Sequence, residues 1–273
     1  MCHKKVYCVD MTTFTHQGTH GELFARMEAP VSPRYLVLLA HGYGEHIGRY
    51  EELFEKITQH GGAIYAQDHQ GHGKSEGERA YVADFESVVE DLHKLYQRAA
   101  SEYPQLPVFL IGHSMGGMIA ARYTQLYGTE LTATVLSGPL LEGSPLLDFL
   151  LENDDARTAP IDSMALSRDP EVGEVYKADP LVWQGEWKIP MLQSLKSELE
   201  LIKVGGRLET PTMWLVGGED PLCPPSVTEP VWEKIKPVDS RQKVYPGARH
   251  EIFNETNRAE VFEDVLTFIV SYL

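Results

Sequence analysis

Hydrophobic and polar positions along the chain fall into two alternating textures. Short, nearly unbroken apolar runs occur at 35–40 (Tyr-Leu-Val-Leu-Leu-Ala), 63–67, 108–111 (Val-Phe-Leu-Ile), 133–137 and 212–217. Such runs suit strands buried on both faces of a parallel sheet. Between them lie stretches of helical period. One spans 50–60 with Leu53, Phe54 and Ile57 on one side; another spans 85–102 with Val88, Val89, Leu92, Leu95 and Tyr96. The opening 30 residues predict strand, turn, strand, at 6–9, 18–21 and 23–27. A last strand is expected at 242–245 and a closing amphipathic helix at 259–273.

Strands alternating with helices predict an α/β fold, a mostly parallel sheet flanked by helices. The alternation breaks at Pro139. From 140 to 208 no core strand is evident, and the segment holds Leu146-Leu-Asp-Phe-Leu-Leu151, the acidic Glu152-Asn-Asp-Asp155, Trp183, Trp187 and Met191. It reads as an inserted helical cap. Residues 1–139 and 209–273 then form the two parts of the core.

The 273-residue length allows one well-buried core plus an insertion. A net charge of −16 argues against nucleic acid, whose phosphates need a basic face, and points to a neutral substrate. Three cysteines (Cys2, Cys8, Cys223) cannot build a disulfide framework, which fits a reducing, cytoplasmic setting. The charged start of the chain has no apolar stretch behind it, so no signal peptide is expected. The run at 35–40 is far too short to span a membrane. The sequon Asn254-Glu-Thr256 carries no meaning in a protein that is not secreted.

Chemistry enters at Gly112-His-Ser114-Met-Gly116, where the strand at 108–111 runs into good helix formers. A serine on so sharp a strand-to-helix turn projects its hydroxyl above the sheet, and small residues on either side let strand and helix approach. The G-x-S-x-G pattern arises by chance in about one chain of this length in ten. The chain contains a second copy, Gly73-Lys-Ser75-Glu-Gly77, but no strand delivers that one into a helix, and it reads as a loop.

An activated serine needs a base and an acid that orients the base, in the chain order Ser, Asp/Glu, His for this turn type. Ten of the eleven histidines precede Ser114, leaving His250, in the loop before the last helix. The acid falls to Asp220, just past the strand at 212–217, with Glu219 its nearest rival. The backbone N–H groups of Met115 and of Tyr43, in His41-Gly-Tyr-Gly-Glu, are the expected oxyanion donors; His41 itself is read as a structural hydrogen-bond former. Cys223, three residues past Asp220, is expected near the site, accessible to thiol reagents or inertly buried. Three decoys are set aside. Gly73-Lys-Ser75 lacks the first glycine of a phosphate loop, since Asp68 stands there. His250-Glu-Ile-Phe-Asn254 lacks the second histidine of a zinc protease. His69 and His72 lack a supporting metal-ligand pattern. No metal or cofactor is expected.

The chain resembles the monoacylglycerol lipases and lysophospholipase-like serine hydrolases of the α/β-hydrolase superfamily. The resemblance rests on His41-Gly-Tyr-Gly-Glu-His46 with Arg49-Tyr50, Asp68-His-Gln-Gly-His-Gly-Lys-Ser75 and Gly112-His-Ser-Met-Gly-Gly117. It continues through Ser167-Arg-Asp-Pro170, Tyr176-Lys-Ala-Asp-Pro-Leu181, Gly218-Glu-Asp-Pro-Leu-Cys223 and Tyr245-Pro-Gly-Ala-Arg-His-Glu-Ile-Phe-Asn-Glu255. It implies hydrolysis of a monoglyceride to glycerol and fatty acid, with polar contacts to the glycerol from Glu45, Arg49 and Tyr176. Residues 140–166 match nothing closely, which leaves the acyl chain length open.

The nearly all-apolar stretch 145–151 cannot hide every face against a core. Its free face, with Leu147 and Leu150, is expected to line an acyl tunnel or to touch a membrane surface transiently, the protein being otherwise cytoplasmic. Three other readings stay open: a general carboxylesterase or lysophospholipase, a cofactor-free perhydrolase-type enzyme, and a non-catalytic binding protein on the same fold.

Overall fold

The apolar run at 35–40 is a strand, β3 (Tyr35–Ala40), with every side chain buried. Its residues divide by parity. Leu36, Leu38 and Ala40 enter one hydrophobic cluster, and Tyr35, Val37 and Leu39 enter a second on the opposite face. The expected double burial of a parallel-sheet strand is thus met.

The computed structural model describes residues 9–143 and 145–273. Before β3 come β1 (Val9–Gly18) and β2 (Gly21–Pro30); after it come α1 (Glu51–Gln59), β4 (Gly62–Gln67) and α2 (Phe85–Glu102). Then follow β5 (Val108–His113), α3 (Met115–Tyr127) and β6 (Ala133–Ser137). Four helices, α4 (Pro145–Glu152), α5 (Asp154–Arg157), α6 (Pro170–Ala178) and α7 (Ile189–Val204), separate β6 from β7 (Thr212–Gly217). The chain ends with α8 (Pro225–Ile235), β8 (Ser240–Tyr245) and α9 (Arg258–Val270). The strands form one sheet in the order β1-β2-β4-β3-β5-β6-β7-β8, in which only β2 runs against the rest. Side chains of α2, α3, α7 and α8 pack on one face; those of α1 and α9 cover the other.

Two sequence expectations change. The first strand is not confined to 6–9: β1 runs from Val9 to Gly18, while residues 6–8 lie outside the described part of the chain. It sits at the sheet edge with most side chains exposed, so no apolar alternation marks it. Helix α8 was not expected at all. Pro225 and Pro230 disguise it, although Thr228, Val231, Trp232 and Ile235 keep helical spacing on its buried face.

Candidate active site

Strand β5 hands the chain to α3 through Ser114, whose φ of 56° and ψ of −119° lie outside the ordinary regions for a residue with a side chain. That turn needs a close approach of strand and helix. A Cβ on Gly112 would collide with the Gly116 carbonyl, and one on Gly116 with the backbone of Ala40 and His41. The two glycines therefore permit the strained serine, as the motif requires.

The Ser114 hydroxyl lies 2.8 Å from His250 Nε2, and His250 Nδ1 lies 2.8 Å from Asp220 Oδ2. Asp220 Oδ1 in turn accepts from the backbone N–H groups of Leu222 (2.8 Å) and Cys223 (2.9 Å), so the carboxylate is clamped. Burial opposes the charge of Asp220, but His250 and these donors outweigh it and hold the carboxyl below its usual range. Burial likewise disfavours a charged His250, yet Asp220 outweighs it and the imidazole pKa rises. Glu219 is exposed, and it is Asp220 that bonds His250. Ser75 is buried and has other partners, donating to the Asp68 carbonyl and accepting from Phe24 N–H.

Met115 opens α3, so its N–H lies in the first turn and has no intrahelical acceptor. Tyr43 sits in the loop after β3, and its ring stacks on Trp187 at 4.2 Å. The same loop is also held by Trp183, whose backbone N–H donates to Gly44 O at 2.7 Å. Backbone bonds from His250 to Ala165 and from Glu251 to Leu166 tie the histidine loop to the inserted segment as well. His41 has the structural role expected of it: Nδ1 bonds Gly42 O and Nε2 accepts from His69 N–H. Among the described residues no His, Cys, Asp and Glu come together as a metal site, and His69 and His72 are deeply buried neutral side chains.

A cavity opens onto Ser114 and His250. One part of its wall is apolar, with Leu140, Leu146, Leu147 and Leu195 from the region of α4 and α7. Another part carries Glu45, Arg49, Tyr176 and Glu251. Leu150 behaves otherwise than expected. Both leucines are packed into the core cluster, and of the two only Leu147 also lines the cavity. Cys223 lines the cavity too, but its thiol is buried and desolvation pushes its pKa well up. The outward position of α4 is taken by Phe149, 53% exposed.

The polar patch is internally bonded. Glu45 accepts from Gly42 N–H (2.6 Å), Tyr50 OH (2.5 Å) and Arg49 (2.8 Å). Arg49 forks onto Glu251 at 2.6 and 2.8 Å and lies over the Tyr176 ring at 4.8 Å. Tyr176 OH is buried without a hydrogen-bond partner among the described residues. Glu251 escaped the sequence reading, since only the contact with Arg49 gives it a place in the patch.

Residues 31–257 match the family described as Serine aminopeptidase, S33. Over 252 residues the chain is 38% identical to a monoacylglycerol lipase of Mycolicibacterium smegmatis, covering 88% of this chain and 90% of that one. It is 35% identical to the monoglyceride lipase of Homo sapiens, covering 85% and 81% of the two chains. The crystal structure of Paleococcus ferrophilus monoacylglycerol lipase superposes with a TM-score of 0.76 at 27% identity, over 97% of this chain and 99% of the other. A match that starts ahead of β3 and runs past His250, on a sheet whose elbow carries Ser114, makes this chain a hydrolase of the serine aminopeptidase S33 family with the α/β-hydrolase fold, akin to the monoacylglycerol lipases.

Proposed function

We propose that the protein hydrolyses monoacylglycerols to glycerol and fatty acid through an acyl-enzyme on Ser114. Ser114 Oγ attacks the ester carbonyl as His250 Nε2 takes its proton. Asp220 holds the imidazole tautomer and stabilises the imidazolium, and the N–H groups of Tyr43 and Met115 receive the oxyanion. Collapse of the tetrahedral adduct expels glycerol, protonated by His250. Water then attacks the acyl-enzyme with the same base and releases the fatty acid and the free hydroxyl. No cofactor enters this scheme.

The observation that carries the reading is one cavity that meets the Ser114–His250 pair and has both an apolar and a polar wall. The acyl chain fits the leucine wall, each buried methylene contributing about 0.8 kcal/mol. The glycerol fits the polar wall, where Tyr176 OH awaits a partner and Glu45 and Arg49 stand beside it. A second acyl chain would have to enter that polar wall, which disfavours triglycerides. Residues 140–208 act as the cap over the site in this reading, and exposed Phe149 supports transient contact of a cytoplasmic enzyme with a lipid surface. Among the described residues no helix is long and apolar enough to cross a membrane.

The test is a rate profile over monoglycerides, triolein and p-nitrophenyl esters of increasing chain length. Medium- to long-chain monoglycerides should be the best substrates. A maximum at acetate or butyrate esters would instead make the protein a general carboxylesterase.

A further inference from the structure

The polar wall of the cavity holds two acidic side chains and one guanidinium. Among the described residues lining the cavity, Arg49 is the sole lysine or arginine. A lone buried arginine beside a nucleophile would ordinarily attract an anionic group, above all a phosphate, which its planar fork fits. Here the fork is already filled. Both terminal nitrogens bond the Glu251 carboxylate, at 2.6 and 2.8 Å, and one of them also reaches Glu45 at 2.8 Å. The side chains of Arg49 and Glu251 are 7% and 5% exposed, so water screens this pair little. Asn254 fixes the second Glu251 oxygen at 2.8 Å, and the Glu251 backbone N–H is held by Leu166 O at 2.8 Å. Glu251 therefore cannot swing aside without breaking bonds on both its ends. The nearby histidine His113 adds no cation, since burial keeps its pKa down at about 4.

We propose that Glu251 is a specificity-determining residue: by occupying Arg49 it leaves the polar wall with an excess of acid, so that the site takes uncharged polyol head groups and turns away phosphorylated ones. The inference rests on the monoacyl-lipid reading above and deepens it. It decides between the two substrate classes that the overall resemblance leaves together, monoglycerides and lysophospholipids. Tyr176 OH, unpaired and neutral, is the group left to bond a hydroxyl of the head group. Glu251 acts through Arg49, as a positioning residue, and need not touch the reacting atoms.

The experiment compares monooleoylglycerol with oleoyl lysophosphatidate, which differ by one phosphate. Wild-type enzyme should favour the uncharged substrate. In Glu251→Gln the ratio of the two kcat/KM values should fall by on the order of tenfold or more, through a lower KM for the phosphorylated substrate, because the amide no longer neutralises Arg49. Glu251→Asp, which keeps the charge, should hold the ratio near wild type. An unchanged ratio in Glu251→Gln, with both substrates losing rate together, would overturn the proposal and leave Glu251 a structural brace. Should that variant fail to fold, the native enzyme decides. With p-nitrophenyl butyrate as reporter, glycerol should inhibit and glycerol phosphate should not; equal or stronger inhibition by glycerol phosphate overturns the proposal. Butyrate hydrolysis without any monoglyceride hydrolysis would sink the proposed substrate alone, and the inhibitor comparison would still judge Glu251.

Discussion

The rings of His113 and His250 lie 4.8 Å apart, tilted by 50°, and their pKa values move in opposite directions. Both imidazoles are buried. Among the described residues His113 bonds only the neutral Ser137 carbonyl and hydroxyl, and burial takes its pKa to about 4. His250 faces the Asp220 carboxylate, which overrides burial and raises its pKa. One of the two neighbours thus stays neutral while the other is free to take the proton.

The pH dependence follows from that relationship. In the proposed mechanism His250 must be neutral to act as base, and its folded pKa is raised from 6.5. Activity should therefore rise with pH along an acidic limb whose midpoint in kcat/KM lies above 6.5. Asp220→Asn should shift that limb downward and cost about four orders of magnitude in rate, whereas Glu219→Gln, at an exposed position, should change little. A limb that stays put in Asp220→Asn would mean that another group controls it.

Ser114→Ala should lower hydrolysis about a million-fold, and a fluorophosphonate probe should label a peptide containing Ser114. Ser75→Ala removes two buried hydrogen bonds and should lower stability by about 1–3 kcal/mol while labelling persists. Labelling that survives the first change and vanishes in the second would reverse the assignment.

Leu147 and Leu150 should separate cleanly. Leu147→Ser alters the cavity wall and should weaken long-chain turnover more than acetate turnover. Leu150→Ala opens a void in the core cluster, costing about 2–5 kcal/mol of stability with similar rate changes for every chain length. Thermal melts and a chain-length series on both variants check this.

Glu198 on α7 predicts a pH-dependent stability. It is 2% exposed, its Oε1 has no hydrogen-bond partner among the described residues, and that oxygen's ion-pair contact is with Arg122 of α3, 4.0 Å away. Burial, reinforced by Glu86 and Asp84 near the start of α2 and opposed by Arg122, raises its pKa to about 7 from 4.5. The folded state therefore holds this proton more tightly than the unfolded chain. The contribution is intact below pH 4.5 and is lost as pH rises toward 7. Glu198→Gln should leave stability unchanged at acid pH and raise it by about 2–3 kcal/mol at pH 8, read from denaturant midpoints. Equal midpoint shifts at both pH values would contradict this.

How much was legible in the sequence depended on whether a pattern had one reading. The strands β3 and β5 were plain because burial on both faces leaves an unbroken apolar run. The Ser114–His250–Asp220 grouping could be proposed before any geometry, because chain order left His250 alone and strand position favoured Asp220; the structure brings the three within hydrogen-bond distance. Edge strand β1 hid because exposed residues carry no alternation, and α8 hid behind its prolines. Leu150 shows a further limit: helical period marks a residue as inward-facing, yet both a packed core and an empty cavity count as inward. Glu251 was missed because its meaning lies in a contact with Arg49, 202 positions away.

The segment between β6 and β7 is stitched to both loops that the proposed mechanism uses, through Trp183 to Gly44 and through Ala165 and Leu166 to the stretch beginning at His250. Such a segment is no interchangeable module. Grafting the corresponding stretch of a relative onto this core would reseat the Tyr43 loop and the histidine together, so under the proposed mechanism a chimera would forfeit turnover on every ester before it acquired a new taste in chain length. Substrate range in this scaffold is better altered by single side chains on the cavity wall, leaving those backbone stitches in place.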